Sequence, residues 1–248
     1  EGFSQDYDLP NEQAYCETCA SVGMVFWNQR MNALTGDAMY IDVLERSLYN
    51  GALDGLSLTG DRFFYGNPLA SRGQHQRREW FGTACCPANI ARMVASLGDY
   101  IYAKSNDGIY VNLFVGSNTT IQLPKTKVDV KMETNYPWDG KVKIVVNPEK
   151  KGKFKLSIRI PGWYKSGSVP GDLYVHGGNA FSATPGIAIN GKPVVVKDND
   201  GYLSVNREWK QGDIVEFEFA MNTYTVTAKD SLKQNNNRIA IQRGPIVY

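Results

Sequence analysis

Histidine, cysteine, one-sided charge and long apolar runs are all scarce in this chain, and each scarcity narrows what it can be. Lysine and arginine total 27 against 25 acidic residues, a net charge of +2 over 248 residues. That balance offers no basic stripe, so no nucleic-acid partner is expected. No apolar stretch approaches the roughly 20 residues of a membrane-spanning helix, so no membrane span is expected either. The two histidines, His75 and His176, stand alone and read as non-catalytic surface groups. Four cysteines are too few for a disulfide scaffold. There is no helical repeat and no low-complexity linker. The first residue is not methionine, so the sequence reads as a processed or excised piece of a soluble protein. Its compartment stays open between cytoplasm and periplasm, and so does a homo-oligomer.

What cysteine there is lies in two tight clusters, Cys16 with Cys19 and Cys85 with Cys86. A disulfide between sequence neighbours strains the peptide, and two bridges from one cluster to the other would crowd one spot. One or two ordinary disulfides are the bland reading; one tetrahedral metal ion is the sharper one. Glu17 adds a fifth donor. Glu17 and Cys19 would diverge on a regular helix, so Glu17 can be a ligand only if the backbone there is non-helical or just entering the helix. Spacing leaves two sites open: four cysteines, or three cysteines with a glutamate.

The period of the apolar residues changes once along the chain. Val22, Val25, Phe26, Met31 and Leu34 recur at helical spacing from Ala14 to Leu34, before the stop signal Thr35-Gly36-Asp37. A second helix is expected over Ala38 to Leu53, with Tyr40, Ile41, Leu44, Leu48 and Ala52 on one face. Residues 55–82 carry no period and read as a long ordered loop. A third helix is expected from Ala88 to about Ala103, with Pro87 in its first turn and the vicinal cysteines at its N-terminus. Beyond Asn106-Asp107-Gly108 the period becomes two. Strands are expected at 109–115, 128–132, 141–146, 154–160, 186–190, 193–197, 201–205, 213–219 and 238–243, with hairpins at Asp139-Gly140 and Asn190-Gly191. The fold class is therefore α+β and multidomain: helices over residues 1–105, then an antiparallel β-sandwich over 106–248. The last strand stops abruptly, which suggests a sandwich truncated at its C-terminal end.

Taken together, three blocks resemble a known family. Tyr15-Cys16-Glu17-Thr18-Cys19-Ala20, Phe64-Tyr65-Gly66-Asn67-Pro68-Leu69 and Cys85-Cys86-Pro87-Ala88-Asn89-Ile90-Ala91-Arg92 look like signatures of glycoside hydrolase family 127, the β-L-arabinofuranosidases, with family 146 a close relative. Glu1-Gly2-Phe3, Asp6-Tyr7-Asp8-Leu9-Pro10-Asn11 and Arg243-Gly244-Pro245-Ile246-Val247-Tyr248 fit flanking blocks in the right order.

The resemblance implies a zinc-dependent retaining hydrolase that releases β-L-arabinofuranose from a glycan. It implies Zn2+ held by Glu17, Cys19, Cys85 and Cys86, leaving Cys16 aside. It makes Cys85 the nucleophile and Glu1 the general acid/base, and puts Tyr65 and Glu45 against the sugar. From the residues alone, Glu45 is an ordinary helix carboxylate. The resemblance also implies an (α/α)6 barrel, of which residues 1–105 would hold the last helices, so the chain alone is expected to be inactive. The alternatives are the same fold acting on another sugar, such as 3,6-anhydrogalactose, and a structural-zinc protein that binds carbohydrate without catalysis.

Overall fold

Helices give way to strands at Tyr102, close to where the apolar period changes. The computed structural model describes residues 5–165, 171–178 and 184–248. Helix α1 runs Thr18–Thr35 and ends on Gly36, whose left-handed backbone (φ 74°) lets its N–H reach the Asn32 carbonyl at 2.7 Å. Helix α2, Ala38–Ser47, is capped by Asp37, whose side chain accepts from the Met39 N–H at 2.8 Å. It passes into a π-helical turn, Leu48–Ala52, and a 3-10 turn, Leu53–Gly55. Helix α3 is Cys85–Ser96 and α4 Gly98–Ile101.

Three boundaries differ from expectation. The first helix begins four residues late, at Thr18. The second stops being α-helical at Ser47. The third begins at Cys85 itself. No helix among the described residues is long and apolar enough to cross a membrane.

The strands are β1 Tyr102–Lys104, β2 Gly108–Val111, β3 Ser117–Gln122, β4 Lys127–Thr134, β5 Lys141–Pro148 and β6 Gly152–Arg159. A one-turn helix, α5 Gly162–Lys165, precedes β7 Tyr174–His176, β8 Ile187–Ile189, β9 Lys192–Val194 and β10 Asp198–Asn199. There follow β11 Tyr202–Trp209, β12 Asp213–Glu218, β13 Thr223–Ala228, β14 Ala240–Arg243 and β15 Ile246–Val247. They form sheets ordered β1-β2-β6-β11-β10, β3-β4-β5-β12-β8-β9 and β15-β14-β13-β7. Every described pairing is antiparallel except β2 with β6. Strands β4, β5 and β12 bury alternate residues, as the period of two requires, while β6 buries consecutive residues from Leu156 onward. Asn190 and Gly191 both take positive φ (51° and 74°), the hairpin conformation their dipeptide favours, and join β8 to β9. Gly140 is required by contact: a Cβ there would lie 1.9 Å from the Phe219 carbonyl oxygen.

Two hydrophobic clusters result. One fills the space between the sheets, with Phe114, Ile144, Leu156, Trp209 and Phe219 at its centre. The smaller one, around Val22, Val25, Ile41, Leu44, Leu48 and Met93, binds the helices together. A polar seam joins helices to strands. Arg159, on β6, is fully buried and reaches Asp42 at 2.5 Å and Glu45 at 2.7 Å on α2, with its Nε–H on the Asn112 carbonyl at 2.7 Å. The Tyr136 hydroxyl donates to the same Glu45 oxygen at 2.9 Å. Beside them Asn32, Asn112 and Tyr202 close a ring of buried hydrogen bonds of 2.7–3.1 Å.

Candidate metal and active site

The late start of α1 brings Glu17 and Cys19 to one point. Glu17 is the N-cap, with extended backbone (φ −73°, ψ 133°), and Cys19 is in the first helical turn. The two side chains therefore do not follow helical spacing and need not diverge. Opposite them, Cys85 and Cys86 open α3. One carboxylate oxygen and three sulfurs from Glu17, Cys19, Cys85 and Cys86 all lie within 4.8 Å of one another. The Cys19 sulfur is 3.0 Å from that of Cys85 and 3.1 Å from that of Cys86. A Glu17 oxygen is 3.5 Å from Cys85 Sγ and 3.8 Å from Cys86 Sγ. All four cysteines are free thiols, so the disulfide reading fails.

The loop between α2 and α3 is pinned onto this point. Thr18 donates its N–H to the Tyr65 carbonyl and its hydroxyl to the Phe64 carbonyl, both at 3.0 Å. Asn67 donates its N–H to the Cys16 carbonyl at 2.7 Å, and its amide to Thr18 Oγ1 and to the Gly51 carbonyl of the π-helical turn. The Tyr65 side chain hydrogen-bonds Cys85. Tyr65 also lines an open cleft of about 790 Å³, with His75, Arg77, Arg78, Trp80 and Phe81 among the other walls. Tyr65 thus touches both Cys85 and a cleft that offers aromatic faces and cations; the four donors themselves are not among the cleft's lining residues.

The electrostatics of the cluster favour a cation. Burial, followed by hydrogen bonds with Cys85 and Cys86, pushes the Cys19 thiol well up. Burial also raises Cys86. A cation placed between Cys19 and Cys86 would offset the burial that disfavours their thiolates. A tetrahedral zinc with thiolates at about 2.3 Å has sulfur–sulfur edges of about 3.8 Å. The two edges at Cys19, 3.0 and 3.1 Å, are about 0.7 Å shorter, so the sulfurs would have to move apart to take up an ion. Thiolate and carboxylate donors are what zinc accepts, and the four residues fit it.

Comparison with known proteins agrees with the blocks that drew attention first. Residues 1–99 match the family model described as "Beta-L-arabinofuranosidase, GH127 catalytic domain", and residues 108–221 match the "GH127 middle domain". The chain belongs to glycoside hydrolase family 127. It is 35% identical to a non-reducing end beta-L-arabinofuranosidase of Bifidobacterium longum subsp. longum, an alignment that takes in 100% of this chain and 37% of the relative. A solved GH127 beta-arabinofuranosidase is 45% identical and superposes with a TM-score of 0.94 over 99% of this chain and 38% of its own. A GH127 beta-L-arabinofuranosidase from Geobacillus stearothermophilus T6 gives 40% identity and a TM-score of 0.85, again with 99% and 38% covered. The family 127 chain thus spans little more than a third of the length of these relatives.

Its other expected site residues are distributed unevenly. Tyr65 is brought to Cys85. Glu1 lies outside the described residues. Glu45 is placed away from the cluster: its side chain is only 2% exposed, and one carboxylate oxygen accepts from both Arg159 and Tyr136. In this chain it clamps α2 to the sheet. Cys16 is half-buried and outside the four-donor group, its carbonyl engaged by Asn67. His75 stacks on Phe64 with centroids 4.8 Å apart. Sequence reasoning missed Asn89, whose amide donates to Cys19 Sγ at 3.0 Å, and Asn67, which ties loop to helix. Both stand inside the quoted blocks, one turn after Cys85 and two residues after Tyr65, and that proximity was the available signal.

Proposed function

We propose that this protein is a retaining β-L-arabinofuranosidase that uses Cys85 as its nucleophile, with Zn2+ held by Glu17, Cys19, Cys85 and Cys86. The observation that carries this reading is the meeting of those four side chains, from two separate stretches of a family 127 chain, beside a cleft walled by Tyr65. The bound ion would keep the sulfurs ionised at neutral pH in spite of their burial. Cys85 attacks the anomeric carbon of a terminal arabinofuranose while Glu1 protonates the departing oxygen. A glycosyl thioether forms on Cys85. Glu1 then takes a proton from water, which displaces the thioether and returns the thiolate. Tyr65 orients Cys85 and contacts the sugar from the cleft side.

The same reading assigns residues 1–105 to the last helices of an (α/α)6 barrel and 106–248 to the β-sandwich behind it. The substrate is an oligosaccharide or glycan with a non-reducing β-L-arabinofuranose.

In the whole protein, Cys85→Ser is expected to lower hydrolysis of a synthetic β-L-arabinofuranoside by at least about 1,000-fold, with Cys16→Ser close to wild type. Removing the metal with a chelator is expected to abolish turnover, and zinc to restore it. An arabinofuranose-configured epoxide should add its mass to Cys85 alone. A Cys85→Ser enzyme as fast as wild type would refute the assignment.

A further inference from the structure

The three clustered sulfurs are alike chemically, yet each has a different outer partner. Cys86 is fully buried, 3.6 Å from the Tyr65 carbonyl oxygen. Cys85 has the side chain of Tyr65, a residue that lines the open cleft. Cys19 receives the Asn89 amide at 3.0 Å. Asn89 lies four residues after Cys85 and three after Cys86 on α3, so the helix sets it on the same face, one turn beyond both. It is half-buried, and its one described side-chain hydrogen bond is to Cys19.

From this we infer that Asn89 fixes the division of labour among the thiols. An amide N–H aimed at a thiolate draws electron density from the sulfur. The sulfur keeps its place as a ligand and becomes a poorer nucleophile. Cys19 is the sulfur so treated. Cys85 is left as the reactive one, since its outer partner is the side chain of a cleft-wall residue and it receives no described amide donor from α1 or α3. Asn89 touches neither sugar nor anomeric carbon, so it is a positioning residue acting through Cys19. The inference rests on the metal reading above.

The test uses the whole protein loaded with Co2+ in place of Zn2+, which makes the sulfur-to-metal charge-transfer band visible. Asn89→Leu keeps the volume and removes the donor. The band is expected to move to lower energy, and the affinity for Co2+, measured by chelator competition, to fall about tenfold. Peptide mapping after iodoacetamide treatment is expected to find label on Cys19 as well as on Cys85, where the wild-type protein is labelled at Cys85. Asn89→Gln retains an amide donor and should return band and labelling toward wild type; a residue needed only for packing would show no such preference for Gln over Leu. Asn89→Asp puts an acceptor where the donor stood and should behave as Leu does, which gives a second isosteric variant if Leu impairs folding. An unmoved band and unchanged labelling in a folded Asn89→Leu protein would overturn the inference and leave the metal reading intact. Failure of the wild type to take up cobalt at all would remove both.

Discussion

The helical and the β parts of this molecule close their cores differently. Between the sheets, Phe114, Ile144, Leu156, Trp209 and Phe219 are all at most 1% exposed, and the cluster around them holds most of the buried apolar side chains. The helical part shelters a smaller set and leaves Met24, Trp27, Leu34 and Val94 at 45–81% exposure. It leans on the strands through a polar seam, Arg159 with Asp42 and Glu45, and Asn32 with Asn112 and Tyr202. The lesson is that the candidate site is carried by the less self-sufficient half. Its four donors hang from the N-terminal ends of α1 and α3, with one pinned loop laid against them, and the sandwich serves as the anvil.

Three changes would break or sharpen that contrast. The largest effect is expected at the seam. Arg159→Met removes the guanidinium paired with buried Glu45 and half-buried Asp42 and should cost about 3–5 kcal/mol in urea unfolding. A loss under about 1 kcal/mol would mean that the halves do not depend on the pair. Next comes the core itself. Leu156→Ala, between the sheets, should cost about 2–5 kcal/mol, while in this 248-residue chain by itself Leu34→Ala, on a face of α1 that no described residue covers, should stay within about 0.5 kcal/mol. Similar losses at the two sites would erase the difference between the regions.

The smallest effect concerns pH. Two carboxylates face one guanidinium, so the seam carries an extra negative charge, and burial raises Asp42 to about 6. A carboxyl with a folded pKa above its unfolded value contributes stability that is full below the unfolded pKa and is lost as pH rises through about 6. Wild-type stability is therefore expected to decline by about 2–3 kcal/mol between pH 4 and 7 on account of this group. Asp42→Asn, which mimics the protonated form, should lack that decline in urea midpoints taken across the range. An identical slope in the variant would place the charge elsewhere.

Strands 128–132, 141–146 and 213–219 were legible because one face of each is buried and the other more open, whereas 154–160, which alternates cleanly in sequence, buries Ser157 and Arg159 as well as its apolar residues. Strands β1, β3, β7, β10 and β13 were not foreseen. β3, for example, reads Ser-Asn-Thr-Thr-Ile-Gln and is held by its pairing with β4 rather than by an apolar face. The four site donors were readable as sequence clusters, but the choice of Glu17 over Cys16 needed the family resemblance. The physical reason for the choice is a helix boundary, the least legible feature of a sequence: Glu17 can join Cys19 because α1 starts at Thr18. The pairing of Glu45 with Arg159, 114 residues away, was not legible because such a contact leaves no local trace in the sequence. Leu34 keeps the helical period yet is 81% exposed, since periodicity marks a face and does not say what covers it.

The π-helical turn at Leu48–Ala52 gives the second helix one residue more than its α-helical path needs. Such a turn behaves as an insertion kept in place. Deleting one residue there would let the α-helix run on and would rotate everything after it by about 100°. The Gly51 carbonyl would swing away from Asn67, and the Phe64-Tyr65-Gly66-Asn67-Pro68 segment would lose one of its moorings. The tyrosine over Cys85 is thus held in register by a surplus residue in the neighbouring helix, and a single-codon deletion well outside the cysteine clusters would detune the site without touching any of its ligands.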